Sequence, residues 1–377
     1  MFSRTPGLRA CTLSLALGCC LAAGAATKVS VSNLVTDDQT AHPAQITDPG
    51  LKNAWGISYS PTSAFWVSSN GAGTSTLYTV NPNTQATSKS ALTVAIPGNG
   101  SVTGQVFNAG SDFHADRFLF VSEDGTVSGW RGALGSTAET LAVGSSANVY
   151  KGAALGTLAG ASYLYAANFR SGSIDVLKGN ALAPGLTGNF TDPNLPVGYA
   201  PFNVQNLGGS LYVTYAKQDA ARMDEVAGAG LGFVDRYDLD GDLLGRVASA
   251  GSLDAPWGLA IAPASFGALA GALLVGNFGD GRISAFDLAS DAFLGQLLDV
   301  ANQPLSIDGL WALAPGNGGS GGSTQSLYFT AGPDDETHGL VGVLNAAPEP
   351  GSVALVLAAL MALASVRRGR WQPLRRA

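Results

Sequence analysis

Cysteine is almost missing from this chain. The 377 residues include three, Cys11, Cys19 and Cys20, all near the N-terminus. The rest can form no disulfide framework, no thiolate metal site and no cysteine nucleophile. Glu and Lys are scarce, five and six residues in all, and long surface helices are usually filled with those two. Basic residues are short in the middle of the chain: residues 28–345 hold 13 Lys and Arg against 26 Asp and Glu, a formal charge of −13. Such a body repels nucleic acid and anionic lipid. No Gly-x-Ser-x-Gly elbow occurs. The glycine-rich stretch 316–322 has no following Lys and precedes a strand, so it reads as a loop rather than a phosphate cradle.

What is present is Gly (50 residues), Ser, Thr, Asn, Asp and Val, with 46% apolar residues overall. This composition suits many short strands joined by tight turns, and a chain of this length buries about three quarters of its unfolded surface.

The two ends read differently from the middle. Residues 1–26 carry Arg4 and Arg9, an apolar run and a small-residue stretch Ala23-Gly24-Ala25-Ala26, the layout of a secretory signal peptide, with a buried N-terminal helix as the alternative. Residues 347–377 contain Pro348-Glu349-Pro350, an apolar run over 352–366 and the basic group Arg367-Arg368. The run is short for a membrane span, which needs about 20 residues. The arginines would hold its end on the cytoplasmic side.

Between these ends one pattern recurs six times. Apolar runs begin at Phe65, Phe118, Tyr163, Leu211, Leu273 and Leu327. A second run follows each, at 76–80, 126–130, 173–177, 233–237, 282–286 and 340–344. Ahead of each unit stands an anchor followed by aliphatics: Gly56, Gly104, Gly152, Asn203, Gly258 and Gly309, spaced 48 to 55 residues apart. Small anchors suit strands that converge on a crowded axis. Six such units predict an all-β fold, a six-bladed β-propeller over residues 29–345. A two-sheet sandwich accounts less well for the regular spacing. The last unit ends one strand short, and an extra strand stands at 29–35, so that opening strand is expected to complete the last blade.

The Pro-Glu-Pro, short apolar run and arginine group resembles the PEP-CTERM sorting signal of Gram-negative bacteria. Asn53-Ala54-Trp55-Gly56-Ile57, Gly198-Tyr199-Ala200-Pro201-Phe202-Asn203, Pro256-Trp257-Gly258-Leu259-Ala260 and Gly332-Pro333-Asp334-Asp335-Glu336-Thr337-His338-Gly339 resemble an uncharacterised family of secreted bacterial propellers. The resemblance implies an NHL-like six-bladed propeller outside the cytoplasm, recognition by an exosortase-type membrane enzyme, transient anchoring in the inner membrane by the C-terminal segment before its removal, and delivery to the cell surface or matrix. It implies no catalytic residue. An ordinary C-terminal anchor is the alternative reading of the tail.

Propeller ligands usually sit where the loops joining blades, and those joining second and third strands, surround the channel. Candidates there are Asn70, Glu123, Asn168, Arg170, Asn277, Asp280 and Asp308, with Asp124 on a nearby turn, Lys217, Asp219, Arg222, Asp224 and Glu225 on the long turn 217–230, and Asn53 and Tyr199 on inter-blade loops. Asp334, Asp335, Glu336 and His338 form the densest acid and histidine group, a candidate site for a divalent cation such as Ca²⁺ or a solvated turn. His42 and His114 stand alone in sequence. Asp238-Leu239-Asp240-Gly241-Asp242 begins like a calcium loop, but Ser249 stands at the twelfth position and strands flank it, so a hairpin turn is the better reading. Trp55, Trp257 and Trp311 lie near the channel and are read as packing residues before sugar-stacking ones. Two functions follow: a non-catalytic exported module binding a polysaccharide, small molecule or surface protein, which is favoured, or a metal-dependent hydrolase or lyase of lactonase type using Glu123, Asn168, Asn277 or Glu336.

Overall fold

The computed structural model describes residues 27–347. The expected leader over 1–26 and the expected sorting residues Pro348, Glu349, Pro350, Arg367 and Arg368 lie outside the described residues. Among the described residues no helix is long and apolar enough to cross a membrane.

Six sheets, antiparallel apart from one short parallel pair at the edge of the last, form a ring in which their innermost strands touch. These inner strands are Ala54–Ser58, Val102–Phe107, Tyr150–Leu158, Tyr199–Leu207, Pro256–Ile261 and Leu310–Pro315. The fold is a six-bladed β-propeller, and the second strands of the blades explain its sequence signature. Each lies mid-blade with a neighbouring blade on either side, so both of its faces are buried. Phe65–Ser69, Phe118–Ser122, Leu273–Asn277 and Leu327–Ala331 are buried at every position, which is why they read as continuous apolar runs rather than alternating ones. Seams between blades fill with their side chains: Phe65, Val67 and Tyr78 of the first blade pack on Tyr328, Val341 and Val343 of the last.

The opening strand, Val29–Thr36, pairs antiparallel with Leu340–Ala346 and completes the sixth blade, as its position predicts. The ring is locked again where the Ala347 amide donates to the Lys28 carbonyl at 2.8 Å. The third blade departs from its neighbours. It has three strands, Tyr150–Leu158, Ala161–Asn168 and Ser173–Lys178, and a long loop follows where a fourth would lie. That loop is pinned by Asp240, whose carboxylate accepts from the Thr187 amide and hydroxyl. The Asp238–Asp242 segment is a hairpin turn in which Asp238 Oδ1 accepts three backbone amides at 2.9 Å each.

The anchor residues meet the demands of a crowded axis. A Cβ on Gly56 would meet the Thr103 carbonyl at 2.5 Å, one on Gly104 the Ala153 amide at 2.6 Å, and one on Gly258 the Trp311 carbonyl at 2.8 Å. Such approaches are closer than any side chain tolerates, so glycine sets the diameter of the ring.

Candidate ligand site at the channel mouth

Every inner strand carries one extra residue near its start relative to its partner. A bulge of this kind re-aims the side chains it contains. The residues set into the six bulges include Trp55, Thr103, Lys151, Phe202, Trp257 and Trp311. The bulged backbone amides of Asn203 and Ala312 are satisfied at 3.0 Å by Thr214 and Thr330 hydroxyls from the adjacent second strands.

The re-aimed aromatics close the channel. Trp55 and Trp311 stack with centroids 3.6 Å apart, Trp257 meets both edge-on, and Phe202 and Phe278 pack on Trp311. Offset stacks and edge-to-face pairs of this kind add stability beyond the area they bury. The Trp311 indole donates to Asn53 Oδ1 at 2.8 Å. The Trp55 indole nitrogen is buried without a partner.

Lys151 shares this plug, 1% exposed, with its ammonium 5.2 Å above the Trp55 ring. It donates to Glu123 Oε1 at 2.5 Å and Asp224 Oδ1 at 3.0 Å. Burial alone would drive this amine toward neutrality, yet Glu123, Glu225 and Asp224 together hold it charged, with its pKa raised. Burial pushes the Glu225 carboxyl up despite Lys151. Glu336 completes the group. Burial, reinforced by Glu225, lifts it to about 7 against the pull of Lys151. Its Oε2 accepts from Asn53 Nδ2 at 2.6 Å. It reaches the axis from a turn in which Asp334, Asp335 and Glu336 are all left-handed, with φ of 55°, 52° and 63°. That conformation costs roughly 1–2 kcal/mol per residue for side-chain-bearing positions.

One buried ammonium thus faces four carboxylates, and a cleft of about 800 Å³ continues from them across blades two to four. Asn99, Ser101, Glu123, Asp124, Arg170 and Asp224 are among its walls. On the opposite face the channel opens as a cavity of about 320 Å³ whose lining, from all six blades, holds no charged side chain.

The candidate residues divide. Asn70 donates to Glu123 Oε2 at 3.1 Å, and Arg170 lines the cleft beside the Met223 sulfur at 2.8 Å. Asn168 is spent within the third blade, donating to Asn148 and Asp175 and accepting the Val149 amide. Asn277 donates to the Ser252 carbonyl and to Asp280, and Asp280 accepts the Arg282 amide, so this pair braces a turn. Asp308 accepts the Asp334 amide at 2.9 Å. The Asp334, Asp335, Glu336 and His338 group does not converge on one point. Asp334 pairs with His42 at 2.8 Å, His338 with Asp37 at 3.0 Å, and Asp335 is exposed, leaving Glu336 alone at the axis. His42 and His338 stand 5.9 Å apart, centroid to centroid, at the blade-six closure. Burial works against the charge of Asp37, but Lys52, the Gly339 amide and His338 hold it below the usual carboxylate range. Lys151 escapes a reading of the sequence. The signal is present nonetheless, since it occupies the place before the Gly152 anchor that Trp55 and Trp257 occupy before Gly56 and Gly258.

No protein-family model matches the chain. Among solved structures, a crystal structure of glucose dehydrogenase superposes with a TM-score of 0.51 at 14% identity, covering 84% of this chain and 100% of that one. A mutant α-L-arabinofuranosidase from Fusarium graminearum, in complex with an iminosugar inhibitor, superposes with a TM-score of 0.52 at 10% identity, covering 84% and 97%. At these identities the likeness is one of fold. Two sequence relatives come from Acanthamoeba polyphaga mimivirus. Uncharacterized protein R648 is 32% identical over 337 residues, 84% of this chain and 80% of that protein. Uncharacterized protein L690 is 31% identical over 314 residues, 79% and 81%. These relatives are viral, so they lend no support to a bacterial PEP-CTERM family, which rests on the sequence motifs alone. By identity and coverage together, the chain belongs to one family with these two mimivirus proteins.

Proposed function

We propose that the protein is an exported binding module that takes a hydroxyl-rich or cationic ligand, foremost a polysaccharide, on the acidic face of its propeller. The observation that carries this reading is the cluster of Glu123, Asp224, Glu225 and Glu336 around buried Lys151, opening into a cleft of about 800 Å³. Carboxylates accept hydrogen bonds from sugar hydroxyls and attract amines, while the charge of −13 over residues 28–345 repels polyanions. The plug beneath is rigid, which limits the ordering that binding would otherwise require. Export follows from the leader pattern over 1–26. Sorting by an exosortase-type enzyme to the envelope, surface or matrix of a Gram-negative cell follows from Pro348-Glu349-Pro350 and Arg367-Arg368.

Calorimetric titration of the body with neutral and amino-sugar polysaccharides tests the binding. Saturable binding that weakens at least tenfold in Asp224→Asn supports the reading, and no binding across both classes overturns it. Fractionation of cells expressing the full chain, with and without Pro348-Glu349-Pro350 replaced by Ala, tests the address. An unchanged distribution removes the sorting step.

One observation favours a second reading. A partly buried glutamate held at about 7 beside Lys151 is matched to general acid–base work near neutral pH, so Glu336 would serve a hydrolase or lyase. Turnover of lactones or glycosides with a pH profile abolished by Glu336→Gln supports it. Turnover indifferent to that substitution overturns it.

A further inference from the structure

The loop between the first and second strands of blade two brings His114 and Asp116 against Glu139, which begins that blade's fourth strand. His114 Nδ1 lies 2.9 Å from Glu139 Oε1. One ligand atom from each of the three residues lies within 4.8 Å of the others. We propose that His114, Asp116 and Glu139 form a zinc-class divalent cation site on the face opposite the acidic cluster, and that Arg131 holds its place when no metal is bound.

Arg131 Nη1 bridges Asp116 Oδ1 at 2.8 Å and Glu139 Oε1 at 2.5 Å. A single positive charge therefore serves two carboxylates, and an electronegative balance remains for a dication. The second oxygen of Asp116 points to something missing. Asp116 is 0% exposed, and its Oδ2 is buried with no hydrogen-bond partner. A buried carboxylate oxygen without a donor is costly, and an absent ion is one standard account of it. Gly129 is shaped around this oxygen, since a Cβ there would lie 2.0 Å from Oδ2.

The supporting loop is built rather than loose. Phe113 is buried, and Asn108 Nδ2 donates to the carbonyls of Asp112 and Asp116 at 2.9 and 2.8 Å. Phe113, His114 and Ala115 are all left-handed, with φ of 55°, 56° and 60°. One imidazole and two carboxylates suit zinc or manganese better than calcium, which prefers an all-oxygen shell. A tetrahedral zinc with ligands at about 2.1 Å would draw its donors to about 3.4 Å, a side-chain adjustment from the present spacing. The Arg131 side chain is 31% exposed and has a path into solvent.

The test is zinc titration of the untagged full chain by calorimetry, with metal content measured after gel filtration. One zinc per chain, weakened at least tenfold in His114→Ala and in Glu139→Gln but retained in His42→Ala, supports the site. Tighter binding in Arg131→Met supports displacement of the guanidinium, and weaker binding there overturns that part. Absence of saturable binding, or binding untouched by His114→Ala, overturns the site. His114 is two-thirds exposed, so its loss leaves the fold intact, and circular dichroism of the variant confirms that.

Discussion

The two mouths of the channel are built by the same six strands and carry opposite chemistry. At one, a buried lysine is ringed by four carboxylates. At the other, backbone, amide, hydroxyl and apolar groups line a cavity with no charged side chain. The difference arises from where each strand is bulged. Bulges near the strand starts turn Lys151 and the tryptophans inward, and loops entering from the blade tops add acids above them. Beyond the bulges the strands present Gln105 and Gln205 among apolar side chains such as Ile57, Leu155 and Leu313. A near-symmetric backbone thus leaves specificity to a few positions at its irregular end.

The comparison is broken most severely at the charged mouth. Lys151→Met leaves Glu123, Glu225, Asp224 and Glu336 without their shared counter-charge. The lysine is buried but its hydrogen-bond partners Glu123 and Asp224 are 22% and 68% exposed, so water takes up part of their charge, and denaturant unfolding should show a loss of about 3 kcal/mol. Crowding the axis between the mouths comes next. Gly104→Ala places a methyl 2.6 Å from the Ala153 amide, and such overpacking costs about 1–3 kcal/mol in the same measurement.

A smaller effect separates the mouths by pH. Glu336 is raised from 4.5 to about 7 in the folded state. Between those values the unfolded chain releases this proton and the folded chain keeps it, so stability falls as pH rises through the window. Glu336→Gln removes that loss. Its melting temperature should match wild type near pH 4 and exceed it by pH 8, and a constant difference across that range would contradict the assignment. At the neutral mouth Gln205→Ala, whose side chain is half-exposed, should change unfolding free energy by no more than about 0.5 kcal/mol at any pH.

Much of the architecture was legible because a ring repeats its constraints. The glycine anchors recur at near-constant spacing, since each must let the next strand approach. The second strands read as apolar runs, since blades cover both their faces. The surplus strand at 29–36 had one unpaired partner to find. The missing fourth strand of blade three was not legible, because its loop is held by a remote contact from Asp240 to Thr187. The site was legible only in part. Glu123 and Glu336 could be placed on the right loops, whereas Asn168 and Asn277 close their second strands much as Glu123 follows its own, yet turn inward to brace their own hairpins. Lys151 was hidden because a lysine at a strand start ordinarily faces water, and only the bulge reverses it. His114 lies 25 residues from Glu139, a separation that no short motif spans.

The bond from Ala347 to Lys28 sets both ends of the disc at a single point on its rim. Whatever precedes and follows therefore attaches at one corner, like a flag on its pole. A short linker joining residue 347 to residue 28 would let new ends be cut between any two blades.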